Sequence, residues 1–363
     1  MNYSTLSING QKYTQIQLQS LCEYKLNDQN TVKWEKSIYL FIHDWLSNSP
    51  TLQVHTSGTT GTPKIITVTK NKMIQSALMT GHFFHLKLGQ NALLCLSADY
   101  IAGKMMIVRA LVLGLNLIIV EPSSMPLSKL ENEIIHFAAM VPLQLHRLLF
   151  ESENPLNQIQ TLIVGGGAIS QRLSEAVKNI QANVYVTYGM TETLSHIAIM
   201  PLNGSQASPY FHTLEGIQIT QDERECLVIR VPHYGKELVT NDRVIIHSEN
   251  TFFVLGRVDN IINTGGIKII PEEVERKLDS AILARRFFIS SIPDQKLENK
   301  IILLIEGSEF GADEWDRLNN HIKKALLRFE RPKQVYFVKQ FIETPTGKIQ
   351  RKATLDVILR DCS

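Results

Sequence analysis

The chain has 363 residues, 44% of them hydrophobic and 20% charged, which is enough for two domains with separate cores. Its net charge of +2 comes from 37 Lys and Arg spread among 35 Asp and Glu, which excludes the basic stripe of a nucleic-acid binder. Cys22, Cys95, Cys226 and Cys362 lie far apart with no C-x-x-C pair, excluding a zinc site or a disulfide framework and fitting a reducing cytoplasm.

The N-terminus has no basic segment followed by an apolar one, so the expected location is cytoplasmic. Trp34, Ile38, Phe41, Ile42 and Trp45 fall at helical spacing and predict an amphipathic helix covering a sheet. Residues 52–55 read as a strand and 72–86 as a helix, with Met73, Ala77, Thr80 and Phe84 on one face. A strand at 93–96, a helix at 104–113 stopped by Gly114 and a strand at 117–120 follow. The apolar run 105–120 is interrupted by Arg109, Gly114 and Asn116, so no membrane span is expected. Residues 137–141 form a strand before Pro142, which opens a helix over 143–149; 162–164 and 184–187 are again strands. This alternation predicts an α/β fold with helix-covered, mostly parallel sheets. From Arg257 the pattern becomes a smaller α+β unit, with strands at 301–305 and 334–338 around a helix at 313–329.

The stretch 56–64 packs five hydroxyls, two glycines and one lysine into nine residues. Gly58 and Gly61 let the backbone approach an anion, the hydroxyls donate hydrogen bonds, and Lys64 supplies a compact positive charge, as holding phosphate requires. It is not a Walker A loop, because Thr62 and Pro63 separate Gly61 from Lys64 and no hydroxyl follows the lysine. Taken alone, the same residues describe a polar surface turn equally well.

Three further motifs follow: Tyr-Gly-Met-Thr-Glu-Thr at 188–193, Gly-Arg-Val-Asp-Asn-Ile-Ile-Asn-Thr-Gly-Gly at 256–266 running into Pro271-Glu-Glu-Val-Glu, and Pro-Thr-Gly-Lys-Ile-Gln-Arg-Lys at 345–352. In order and spacing the four resemble the adenylate-forming, AMP-binding superfamily, which includes acyl-CoA synthetases, luciferases and nonribosomal adenylation domains. The resemblance covers nearly the whole chain from about Val54 onward.

That resemblance implies activation of a carboxylic acid by ATP, with Mg2+, to an acyl-adenylate, followed by transfer to coenzyme A. Thr56, Ser57, Gly58, Thr59, Thr60, Gly61 and Lys64 would hold the β- and γ-phosphates, Thr191 the α-phosphate, and Glu192 the metal side. Gly165, Gly166, Gly167 and Tyr188 would receive the adenine. Asp242 and Arg257 would bind the ribose, although Asn241 stands where the family usually has Gly. Lys348 would catalyse adenylation by bridging the substrate carboxylate and the α-phosphate. A charge at about 4 Å is worth about 4 kcal/mol at an effective dielectric near 20, nearly a thousandfold in rate. Asp259 would be the hinge between a domain at 1–257 and a mobile one at 258–363, with Gly265 and Gly266 lining the thiol tunnel. Plainer readings stand beside these: Glu192 and Asp259 as caps, Asp242 in a surface turn, the glycine pair as a turn, Lys348 as a solvated lysine.

Within the superfamily, segments 140–149, 165–170 and 256–266 are most similar to the o-succinylbenzoate:CoA ligases of menaquinone biosynthesis. Their substrate is a dianion, so its non-reacting carboxylate needs a partner, and Lys104 and Arg109 are the cations on offer. Lys104 as the carboxylate ligand and Lys104 as a solvated lysine at a helix start are equally compatible with the sequence. Another aryl or medium-chain acid, or a carrier protein as acceptor, stays open as an alternative. Only 55 residues precede the phosphate-loop candidate, fewer than the family normally carries, and a second copy of the chain could replace the lost packing surface.

Overall fold

The structure, a computed structural model, describes residues 4–55, 65–130, 133–152, 156–232, 234–282, 285–344 and 347–361. In chain order, β1 (Leu6–Ile8) and β2 (Gln11–Tyr13) precede α1 (Gln15–Asn27) and α2 (Lys33–Leu46). The antiparallel pair β3 (Thr51–His55) and β4 (Ile65–Thr69) leads into α3 (Lys70–Phe83). Next come β5 (Asn91–Leu94), α4 (Ile101–Leu113), β6 (Asn116–Ile119), β7 (Ile135–Met140), α5 (Pro142–Glu151) and β8 (Ile159–Val164). They are followed by α6 (Gln171–Val177), β9 (Asn183–Gly189), β10 (His196–Pro201), β11 (Phe211–Thr213), β12 (Gln218–Gln221), β13 (Cys226–Arg230), β14 (Glu237–Ser248) and β15 (Thr251–Arg257). The chain ends with β16 (Ile262–Thr264), β17 (Ile267–Ile269), α7 (Pro271–Leu278), β18 (Phe287–Asp294), β19 (Glu298–Glu306), α8 (Ala312–Ala325), β20 (Gln334–Val338) and α9 (Arg351–Asp361). Packing divides the chain into one unit of residues 1–169, 176–218 and 230–236 and another of 170–175, 219–229 and 237–363.

In the first unit the strands lie in the order β11-β10-β9-β8-β7-β5-β6-β1-β2. The pairs β9–β8, β8–β7, β7–β5, β5–β6 and β6–β1 are parallel, and the antiparallel pairs sit at the two ends of the run. This is the mostly parallel α/β sheet expected from the apolar runs, which are continuous because helices cover the sheet. Leu94, Phe137 and Ile163 of the strands share a core with Met105, Met106 and Val108 of α4 and Met73 and Ala77 of α3. Ile38, Phe41, Ile42 and Trp45 of α2 join the same core, so the helix expected over 34–45 buries the face its spacing defines. Gly114 ends α4 in the left-handed region at φ 67°, where a side chain would be strained.

In the second unit β12, β13, β14 and β15 are neighbours in that order, and β18, β19 and β20 form a separate sheet. Here β19 runs antiparallel to β18 and parallel to β20, with α8 as the crossover between the parallel pair. Ile289, Ile301, Leu303 and Ile305 pack with Val274 and Leu278 of α7 and Leu318 and Ile322 of α8. Arg351 at the start of α9 makes a two-pronged ion pair with Glu275 of α7, at 2.6 and 2.8 Å. Among the described residues, no helix is long and apolar enough to cross a membrane.

Candidate active site

The first candidates in the chain, Thr56, Ser57, Gly58, Thr59, Thr60, Gly61 and Lys64, lie outside the described residues, as do Pro345 and Thr346 of the last motif. The strands β3 and β4 that flank residues 56–64 are described; they pair antiparallel from Thr51 and Thr69 to His55 and Ile65. The segment therefore connects two adjacent antiparallel strands.

Gly165, Gly166 and Gly167 follow β8 directly. Gly166 has φ +86°, and a Cβ on Gly165 would come within 2.3 Å of Thr187 Oγ1 on β9. Glycine at 165 thus lets the loop close onto the strand that carries Tyr188. The Tyr188 ring packs against Phe211 at 5.7 Å. Gly189 is held equally tightly, because a Cβ there would meet the Ser195 carbonyl oxygen at 2.4 Å. Thr191 and Glu192 lie in a single 3-10 turn, Thr191–Thr193, with the Glu192 side chain exposed. Thr193 supports the turn: its hydroxyl donates to the Ser195 carbonyl at 2.6 Å and accepts the Met190 N–H at 2.9 Å.

Arg109 is 2% exposed and, among the described residues, has no carboxylate partner. Its Nη2 donates to Ser195 Oγ at 2.5 Å, its Nε to Thr80 Oγ1 at 3.3 Å, and its Nη1 reaches the Met106 thioether at 3.4 Å, a weak acceptor. Burial lowers its pKa to about 10. His196 sits in the same cluster, with Nε2 3.3 Å from Thr80 Oγ1 and Nδ1 3.2 Å from Ser195 Oγ. The Thr80 proton goes to the Ser76 carbonyl at 3.0 Å, so His196 Nε2 must carry a proton and Nδ1 must accept from Ser195. Burial and the Arg109 charge hold the His196 pKa well below its ordinary value, so the ring is neutral. Neither Ser195 nor His196 stands out in the sequence, where the only pointer is their place directly after the Thr-Glu-Thr turn.

Lys104 is 9% exposed, not the solvated lysine that a position at a helix start would allow. Residues of α2 cover it: its Nζ lies 5.6 Å from the Phe41 ring centroid. It lines a cavity of about 400 Å3 with Phe41, Asp44, Leu52, Asp99 and Tyr100. Burial lowers its pKa, and attraction from Asp99 and Asp44 opposes that shift.

In the second unit Asp242 of β14 faces Arg257 of β15 across the ladder, and Arg257 Nη1 donates to Asp242 Oδ1 at 3.1 Å. The other arm of Arg257 donates to Asp259 Oδ2 at 2.7 Å. Asp259 lies in a 3-10 turn, Val258–Asn260. Gly265 and Gly266 join β16 to β17 as a two-residue turn with φ +55° and +78°, the sign pattern of a type I′ hairpin, which explains two glycines in succession. Lys348 is half-buried; its N–H donates to Thr344 Oγ1 at 3.1 Å and its carbonyl accepts the Thr344 N–H at 2.8 Å. Burial first and the Arg257 charge second lower the Lys348 pKa, while Asp242 raises it.

Residues 11–223 match the family described as AMP-binding enzyme. The chain belongs to the AMP-binding enzyme family. This AMP-binding enzyme is 36% identical to a solved acyl-CoA synthetase (AMP-forming)/AMP-acid ligase II-like protein from Dyadobacter fermentans, over 94% of this chain and 98% of that one, with a TM-score of 0.62. It is 26% identical to the 2-succinylbenzoate–CoA ligase of Listeria monocytogenes, over 82% of this chain and 68% of the relative. A solved o-succinylbenzoate coenzyme A synthetase from Bacillus subtilis, in complex with ATP and magnesium ion, superposes with a TM-score of 0.76 over 98% of both chains. At 17% identity that likeness is one of fold.

Proposed function

We propose that this AMP-binding enzyme is an ATP-dependent ligase that joins o-succinylbenzoate to coenzyme A, with Arg109 as the partner of the carboxylate that does not react. Its reaction class is that of the AMP-forming acid–thiol ligases. The observation that carries the substrate is the buried guanidinium of Arg109, which has no counter-charge among the described residues. A buried cation without one is costly, and a ligand carboxylate would relieve that cost with charge-assisted, two-pronged hydrogen bonds. Of the two cations named from sequence, Lys104 already feels Asp99 and Asp44, whereas among the described residues Arg109 has hydroxyls, a thioether and the Phe137 ring but no carboxylate. The names of the curated relatives point to the same acid.

The remaining roles are those that the resemblance to the family implies. Carboxylate attack on the α-phosphorus of ATP forms the acyl–phosphate bond and expels pyrophosphate; a thiol then attacks the acyl carbonyl and AMP leaves. In the first unit, Thr191 would donate to the α-phosphate, and Gly165, Gly166, Gly167 and Tyr188 would receive the adenine. In the second, Asp242 and Arg257 would hold the ribose, Lys348 would sit against the charge that builds during adenylation, Asp259 would act as the hinge, and Gly265 and Gly266 would flank the thiol. Among the described residues, no cluster of three or more His, Cys, Asp or Glu could hold a metal by itself. A lone exposed carboxylate at Glu192 suits Mg2+, which takes one or two carboxylates and completes its shell with phosphate and water. Bound there, the ion would neutralise phosphate charge.

The test compares pyrophosphate release and CoA-thioester formation with o-succinylbenzoate, an aliphatic diacid, benzoate and octanoate, in wild type and Arg109→Leu. Hydrogen bonds to charged groups contribute about 1.5–3 kcal/mol, so KM for o-succinylbenzoate should rise about 10- to 100-fold in the variant. Turnover of octanoate or benzoate alone would overturn the substrate. Pyrophosphate release without thioester would replace coenzyme A by a carrier protein.

A further inference from the structure

Asn241 is the residue at which this chain departs from the glycine usual before the ribose-binding aspartate, and its side chain is engaged on both ends. Its Nδ2 donates to both oxygens of the Asp259 carboxylate, at 3.1 and 3.3 Å, while its Oδ1 accepts from Arg224 Nη1 at 3.0 Å. Arg224 is itself anchored, with Nε on Asp222 Oδ2 at 2.9 Å and Nη2 on the Thr240 carbonyl at 3.2 Å. Asp259 receives its other donor from Arg257, which also holds Asp242. The result is a chain of fixed groups from Asp222 through Arg224 and Asn241 to the carboxylate of Asp259. Among the described residues, glycine at 241 would leave that carboxylate with Arg257 alone.

We propose that Asn241 is a positioning residue that tethers Asp259 to the strand bearing Asp242, holding the chain that follows the turn at 258–260, with Lys348, in the arrangement that serves adenylation and slowing its departure toward thioester formation. The inference rests on the reading of Asp259 as hinge and of Lys348 as the adenylation lysine. Its direction follows from Arg257, which holds Asp242 and Asp259 at once, so the tethered turn stays against the pair proposed for the ribose, where the charges of Arg257 and Asp242 act on Lys348. Turning the backbone at 258–260 requires Asp259 to release both Asn241 contacts as well as Arg257.

Amide hydrogen exchange over residues 257–261 of the full chain tests the tether without requiring turnover. Asn241→Ala should raise exchange there about two- to tenfold, the range for loss of one hydrogen-bonded donor, and Asn241→Asp, which sets a like charge against Asp259, at least as much. In an Asp259→Asn background the Asn241→Ala change should add less than about 1.5-fold, because coupled groups do not act additively. In single turnover, thioester formation from preformed acyl-adenylate should rise about two- to tenfold relative to pyrophosphate release in Asn241→Ala. Wild-type exchange in both single variants would overturn the tether, and so would an Asn241→Ala effect undiminished in the Asp259→Asn background. An unchanged ratio of half-reactions would remove its role in positioning. A wild type that forms no acyl-adenylate from any acid would instead remove the ligase reading, with exchange still deciding on the tether.

Discussion

Arg109 and His196 are buried side by side with no carboxylate partner among the described residues, and they meet the cost differently: Arg109 stays charged, and His196 gives up its proton. That makes His196 a source of pH-dependent stability. Its folded pKa is depressed, so the folded protein refuses a proton that the unfolded chain accepts near pH 6.5. The stability is fully present above about pH 6.5 and is lost as the pH falls below it, with a slope of at most about 1.4 kcal/mol per pH unit. Replacing the ring by the amide of His196→Gln keeps a donor and an acceptor for Thr80 and Ser195 but removes the titration. Urea unfolding at pH 7.5 and pH 5.5 should show wild type losing about 1 kcal/mol more than the variant, and equal losses would refute the assignment. None of this was legible in the sequence. Arg109 and Lys104 stand in a helix that is apolar nearly all round, so periodicity cannot say which face meets a neighbour; Lys104 is buried because α2, distant in sequence, packs over it.

Elements were legible where burial imposes one period. The strands expected at 52–55, 93–96, 117–120, 137–141, 162–164 and 184–187 are β3, β5, β6, β7, β8 and β9, and the helices expected at 34–45, 72–86, 104–113 and 143–149 are α2, α3, α4 and α5. Helix α1 is not evident from periodicity, because it buries only Leu18 and Cys22; the available signal was its capping box, Thr14 with Gln17. Of the antiparallel strands, β11, β12 and β14 are largely half-buried or exposed and blur into their turns, whereas β10 and β13 are mostly buried and their apolar runs at 197–200 and 226–229 were the signal available. Gly103 marks another limit, since its value lies in what it touches. A Cβ at this position in the first turns of α4 would meet the Ser97 carbonyl oxygen at 2.3 Å and that of Leu96 at 2.8 Å. Backbone cannot rotate away as a side chain can, so Gly103→Ala should destabilise by about 1–3 kcal/mol despite alanine's better helix propensity. An unchanged urea midpoint would show that the loop before α4 yields.

At the scale of the whole molecule, three of the segments singled out from sequence lie at turns that follow strands: 165–167 after β8, 188–193 at the end of β9, and 256–266 from the end of β15 through the β16–β17 turn. What spacing cannot supply is the division of labour between two chemical steps, and Lys348 is where that division is measurable. Its proposed work is confined to the first step, where a carboxylate must approach a phosphate of like charge. In the second step the thiol meets an acyl carbonyl that is already activated, and a lysine at the phosphate has little to add. The structure holds Lys348 half-buried, its pKa lowered by burial and by Arg257, so its effect on charge is larger than that of a solvated lysine. In Lys348→Ala, pyrophosphate release with o-succinylbenzoate should therefore fall about a thousandfold, matching about 4 kcal/mol of lost electrostatic stabilisation. Supplied with preformed acyl-adenylate and coenzyme A, the same variant should form thioester within about threefold of wild type, a change below 1 kcal/mol. A comparable loss in both steps would mean that the lysine supports the fold of the second unit rather than the adenylation step, and circular dichroism with urea unfolding of the variant would then show the lost stability directly.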